Sequence, residues 1–183
     1  MSDVLNVIKN RRSVRNFKQE QINQESIDII IEAGIYAPTA HNDQPWHFTV
    51  VQNQELLEKI NLISKKGMAN SGVEWMQKMS ANPNFHLTYH APTLIIVSGR
   101  KDALAWSVDC AAAIQNMLLV AEDMNIGSVW LGLVRFFLND EEEVKKLGIP
   151  EGYEPFYGVA FGYKEKEHAP APKRKLDVVN FIR

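Results

Sequence analysis

The chain has a single cysteine, Cys110, so it can close no intrachain disulfide and build no cysteine-based metal site. No apolar run approaches the ~20 residues that a membrane helix needs. Met1 leads into Ser2-Asp3 without the basic-then-apolar pattern of a secretory signal, so the expectation is a cytoplasmic chain with no membrane partner. Charge of one sign is also missing. Twenty Lys and Arg against 22 Asp and Glu leave a net charge of −2, which argues against nucleic acid as a partner, because its backbone asks for a large basic excess. The glycine signatures of nucleotide binding are absent too: Gly158-Val159-Ala160-Phe161-Gly162 is no Rossmann turn, and there is no Walker-type loop. His86 and His90 are four apart, but Ala91-Pro92 argues against a helix running on through them and no glutamate completes a zinc-protease pattern. They read as structural or surface histidines, and no metal is expected.

What remains is ordinary globular material. Hydrophobic residues make up 45% of 183, enough for one domain over 1–183, with a core over 1–163 and an extended arm over 164–183. Ser2 can cap a helix through Asn10, with Val4, Leu5, Val7 and Ile8 on one side. Ser13 to Phe17 should be extended. Asn23 opens a second helix with Ile27, Ile30, Ile31 and Ile35 as its buried stripe, and Pro38 follows its end. Trp46 to Val51 reads as a strand, and about Asn53 to Lys66 as a helix stopped by Gly67. Val73 to Met79 suits a helical turn or two. The run through Thr93-Leu94-Ile95-Ile96-Val97 is that of a strand covered on both faces. Asp109 to Asn125 is a central helix, apolar around most of its circumference and ended by Gly127. Ser128 to Val134 returns as a strand, Asn139 caps a short helix ending at Gly148, and Phe156 to Tyr163 is the last core strand. Lys164 to Lys175 is charged and rich in proline, and should run over a surface; Leu176 to Ile182 is strand-like again and suited to docking on this or a second subunit.

Three guanidinium groups and a hydroxyl fall within five residues at Arg11, Arg12, Ser13 and Arg15. Arginine offers a planar fork of donors that matches phosphate oxygens two at a time, and serine can add a further bond. A second basic cluster, Lys173-Arg174-Lys175, lies in the arm. Like-charged clusters repel unless an anion lies between them. Solvated surface charge is the alternative for both. In the loop Pro38-Thr39-Ala40-His41-Asn42-Asp43-Gln44-Pro45, the amides of Asn42 and Gln44 could read the mixed edge of a heterocycle, though the same residues also favour a plain turn. Cys110 opens a buried helix, where an inert thiol is the usual case.

Taken in order, Arg-Arg-Ser-Val-Arg-Asn-Phe at 11–17, Ala-Pro-Thr-Ala-His-Asn-Asp-Gln-Pro-Trp at 37–46, Asn-Ile-Gly-Ser-Val-Trp-Leu-Gly at 125–132 and the basic arm before Leu176 resemble the nitroreductase family. The resemblance spans nearly the whole chain. It implies an α+β fold with an antiparallel-dominated sheet flanked by helices, a homodimer with FMN at its interface, and a C-terminal arm docking on the partner subunit. It implies NAD(P)H as reductant and ping-pong hydride transfer through the flavin to a small acceptor such as a nitroaromatic or quinone. The flavin N5 carries the hydride, so no catalytic side chain is required.

By position, Arg11, Arg12 and Ser13 resemble the phosphate and ribityl contacts, with Lys173 and Arg174 or Lys175 closing the phosphate. Arg15 resembles the basic residue on the pyrimidine side of the ring. Pro38, Thr39 and Ala40 resemble the loop lent by the second subunit, Asn42 and Gln44 the polar contacts near the ring, and Leu131, Gly132 and Leu133 the backbone facing N5. Where several branches carry an acidic–glycine pair, this chain has Val134-Arg135-Phe136-Phe137. Arg135, Phe136 and Phe137 are candidates for substrate contact, the alternative being one charge at a strand end and two core rings. Two other functions suit the same fold: a non-catalytic FMN-binding or storage protein, and a flavin-dependent dehalogenase-like enzyme.

Overall fold

Four strands pair antiparallel in the order β1–β2–β4–β3: β1 (Trp46–Val51), β2 (Thr93–Arg100), β3 (Ile126–Leu131) and β4 (Tyr153–Tyr163). They belong to a computed structural model that describes residues 3–166 and 170–183. Ser2 and residues 167–169 of the arm lie outside the described residues, and with them the expected cap. Seven helices accompany the sheet among the described residues: α1 (Asp3–Asn10), α2 (Gln24–Ile35), α3 (Gln54–Ala69), α4 (Glu74–Ala81), α5 (Trp106–Asp123), α6 (Arg135–Leu138) and α7 (Glu141–Lys145). The fold is α+β.

Side chains alternate across the two central strands and divide the core in two. Leu94 and Ile96 of β2 join Leu57 and Ile60 of α3 and Phe137 of α6 on one face. Ile95 and Val97 join Ile27 and Ile30 of α2 and Ile114 and Met117 of α5 on the other. This is why the apolar run at 93–97 does not alternate: both faces of β2 are covered. Asn23 caps α2, its side chain accepting the Ser26 N–H at 2.8 Å. Among the described residues no helix is long and apolar enough to cross a membrane.

Several expected boundaries move, for local reasons. Gly67 does not stop α3, which runs on to Ala69 with Asn70 as its C-cap. A β-carbon at Gly67 would lie 2.8 Å from Phe136, so the glycine serves a close approach rather than a turn. Gly127 lies inside β3; α5 ends at Asp123, and Asn125 at φ 57° makes the turn. After Leu131 the strand gives way to a 3-10 turn over Gly132–Val134. Asp140, not Asn139, caps α7 by accepting the Glu143 N–H. Ile35, expected in the buried stripe, is exposed at the end of α2. Leu176 to Ile182 forms no strand: within the described chain it pairs with nothing, and Leu176, Val178, Phe181 and Ile182 are exposed.

Candidate functional site

The basic segment is held along the free edge of β3. Val14 and Phe17 turn into the core while Ser13, Arg15 and Asn16 face out. The Val14 N–H donates to the Ser128 carbonyl at 2.9 Å, and the Lys18 N–H to the Tyr163 carbonyl at 2.9 Å. Phe17 rests across Gly127 and Gly162, which face each other in the β3–β4 register; β-carbons there would lie 3.1 and 3.0 Å from its ring. The two apolar anchors thereby fix where the intervening and preceding polar side chains emerge.

They emerge into a cleft of about 470 Å³. Arg11, Arg12, Arg15, Lys166 and Arg174 line it together with Ser13, and among the described residues no carboxylate does. The buried Nε of Arg12 has no hydrogen-bond partner, although its neighbouring Nη1 donates to the Arg11 carbonyl. Arg11 is held below the ordinary arginine range by burial first, then by Arg12 and Arg174, against the opposing pull of Glu122. Cations crowded this way are relieved by an anion between them. Glu122 is itself bonded to Lys164, 3.0 Å away. Arg15 stands at the cleft margin, its guanidinium 5.7 Å from the centre of the Tyr89 ring, and it also lines an adjoining cleft of about 420 Å³.

The arrangement gathers some expected residues and leaves others apart. Arg11, Arg12, Ser13, Arg15 and Arg174 meet in one cleft. Lys173 and Lys175 are exposed and do not line it. Pro38, Thr39, Ala40, Asn42 and Gln44 do not line it either. Their loop holds His41, Asn42 and Gln44 at φ 53°, 57° and 44°, and the Gln44 amide donates to Asn42 Oδ1 at 3.0 Å. Leu131, Gly132 and Leu133 lie at the end of β3, with Leu131 buried and Gly132 exposed. Phe137 is fully buried, a core ring; Phe136 is half-buried against Gly67, and Arg135 is exposed with its guanidinium 5.3 Å from the Phe136 ring centre. Sequence reasoning did not single out Lys166 or Tyr89. The alternating charge of Lys164-Glu165-Lys166 was the only available signal for the first, and there was none for the second. Cys110 is buried, its thiol pushed up to about 12 by burial and then by Asp109, so it stays protonated.

The model of the Nitroreductase family matches residues 8–163. The chain belongs to the nitroreductase family. Among solved structures, the chain is similar to a Bacteroides fragilis nitroreductase with bound FMN, at a TM-score of 0.90 and 34% identity over the whole of both chains. A Desulfitobacterium hafniense nitroreductase with bound FMN follows at 0.88 and 29%, again over the whole of both. A Methanothermobacter thermautotrophicus protein provisionally named NADH dehydrogenase/NAD(P)H nitroreductase is 36% identical over 167 residues, 88% of this chain and 77% of its own.

Proposed function

We propose that this nitroreductase is an FMN-dependent oxidoreductase that passes hydride from NAD(P)H to a small acceptor, such as a nitroaromatic or quinone, in a ping-pong sequence. The observation that carries the reading is the cleft lined by five cationic side chains and, among the described residues, no carboxylate, with the buried Arg12 Nε left unpartnered. A phosphomonoester fits that donor set: it brings two negative charges and several acceptor oxygens to a place where guanidinium forks repel one another. The FMN in the similar structures supports the choice of ligand.

Bound FMN would supply the hydride chemistry at its N5. Arg11, Arg12 and Arg174 would hold the phosphate as charge-assisted donors, with Ser13 adding its hydroxyl and Lys166 its charge. Arg15, at the cleft margin, would face the pyrimidine side of the ring, where a fixed positive charge favours the anionic reduced form. No side-chain acid or base is needed. Leu131, Gly132 and Leu133 would present backbone N–H groups from the end of β3. The Pro38–Gln44 loop, which does not line the cleft of its own chain, would come from a second copy in a homodimer. Exposed Val4, Ile8, Leu104, Val108 and Phe181 support such an assembly, because large apolar side chains left in water favour a partner.

The test is direct. Protein loaded with FMN is mixed anaerobically with NADH or NADPH, then with a nitroaromatic or quinone. Bleaching of the flavin band, its return on adding acceptor, and parallel double-reciprocal plots are expected. A flavin that stays oxidised with both nicotinamides contradicts the reading and leaves a binding or storage role.

A further inference from the structure

Arg15 is a long, exposed side chain that reaches the Ser13 carbonyl only through a long hydrogen bond of 3.4 Å. Its more specific contact is the Tyr89 ring, 5.7 Å from the guanidinium. Tyr89 is placed there by an unusual backbone. Both Tyr89 and His90 hold positive φ, 55° and 59°, a conformation that bulky L-residues adopt only when their surroundings impose it.

What imposes it is His86. This buried ring accepts at Nδ1 from the N–H of Thr88 at 3.3 Å and of His90 at 3.4 Å, with the Thr88 hydroxyl 3.0 Å away. Because Nδ1 accepts, the ring proton belongs on Nε2, which lies 3.1 Å from Glu58 Oε2. The His86 carbonyl takes the Tyr89 N–H at 2.9 Å, and the Ala91 N–H donates to the Thr88 carbonyl at 3.0 Å. Asn61 of α3 ties the base of the turn, donating to Glu58 at 3.0 Å and accepting from the Leu87 N–H at 2.9 Å. The turn is fixed from every side.

We infer that Tyr89, presented by this His86-anchored turn, is a positioning residue for Arg15. An aromatic face is a suitable platform for the task. A carboxylate partner would restrain the guanidinium but cancel its field, whereas a ring restrains it and leaves the charge intact for a neighbouring anion. The Tyr89–Arg15 pair also stands where the two clefts meet, since Arg15 lines both and Tyr89 lines the second. The inference rests on the proposed reading of Arg15 as the cation beside the flavin ring.

The experiment compares FMN-loaded wild type with Tyr89→Leu, Tyr89→Phe, Arg15→Ala and the Tyr89→Leu/Arg15→Ala double variant. Tyr89→Leu should keep FMN affinity close to wild type, lower the flavin midpoint potential, and slow reduction by NAD(P)H about three- to tenfold, the scale of a lost cation–π contact. Tyr89→Phe should restore wild-type behaviour. In the double variant the Tyr89→Leu change should add little to the effect of Arg15→Ala, because the two side chains act as one unit. Should Tyr89→Leu not fold, the Arg15 side-chain protons in wild type and Tyr89→Phe still report the contact, through an upfield ring-current shift. An unchanged potential in Tyr89→Leu, full additivity with Arg15→Ala, or solvent-like Arg15 shifts overturns the role. A wild-type chain that takes up no FMN instead overturns the functional reading on which it rests.

Discussion

The Lys164 ammonium lies 3.0 Å from the Glu122 carboxylate, and the two side chains are only 11% and 12% exposed. The pair joins the end of β4 to α5, beside the crowded guanidinium of Arg11, on which Glu122 is the one attractive influence among the leading ones. A pair so far out of water is informative when broken, because removing one member takes a close opposite charge from the other.

Lys164→Met should therefore destabilise the protein by about 2–3 kcal/mol, somewhat below the range for a fully buried pair. Urea unfolding measures it. Lys164→Met/Glu122→Gln should recover part of the loss, and no loss in the single variant would mean that the pair is solvated in solution.

Gly67→Ala tests the crossing of α3 and α6. In an exposed helix this change gains up to about 1 kcal/mol. Here the added methyl would meet Phe136 at 2.8 Å, including its β-carbon, which cannot swing aside. The clash should win, with a net loss of about 1–3 kcal/mol. Phe136→Gly in the same chain, which removes that β-carbon together with the ring, should reverse the sign of the Gly67→Ala effect.

Position 67 also shows how far the sequence could be read. Elements whose signal is local were legible: β1 over Trp46–Val51, the doubly covered run of β2, the Asn23 cap, and the cluster at 11–15, where five consecutive residues bring four of the site's donors together. Glycines misled where their reason lies elsewhere in the chain. Gly67 faces Phe136, and Gly127 faces Val14 and Phe17, so neither is a helix stop. The Tyr89–Arg15 contact was invisible because it depends on two left-handed residues that no propensity would suggest. The tail is strand-like in composition, but composition does not say what it pairs with, and within the described chain it pairs with no strand and stays exposed.

His86 sets a pH dependence. Burial, followed by its neighbour His90, holds its pKa below the ordinary value, outweighing the opposing influence of Glu58. The unfolded chain then binds more protons than the folded one between the lowered pKa and about 6.5, so stability rises with pH across that window. Stability from this group is complete above about pH 6.5 and falls as the pH drops towards the lowered folded value. Thermal melts should show a decline on acidification that is shallower in His86→Asn; identical slopes would mean that His86 titrates normally.

The segment 135–137 separates a surface position from a core one. Phe137→Ala should cost about 3–5 kcal/mol, as for an aromatic removed from a packed interior. Arg135→Ala, at an exposed position, should stay within about 0.5 kcal/mol, and any effect it has should appear in the KM for the acceptor. A stable Phe137→Ala would contradict the packing.

That the cationic cleft holds the phosphate of FMN is tested by the affinity of the chain for FMN against riboflavin, which lacks that group. Fluorescence quenching by wild type and Arg11→Ala supplies both numbers. Wild type should bind FMN at least about 100-fold more tightly than riboflavin, and Arg11→Ala should narrow the gap by about tenfold or more, the worth of one charge-assisted contact, while leaving riboflavin binding unchanged. Equal affinities for the two flavins in wild type, or an Arg11→Ala protein that retains FMN like wild type, would contradict it.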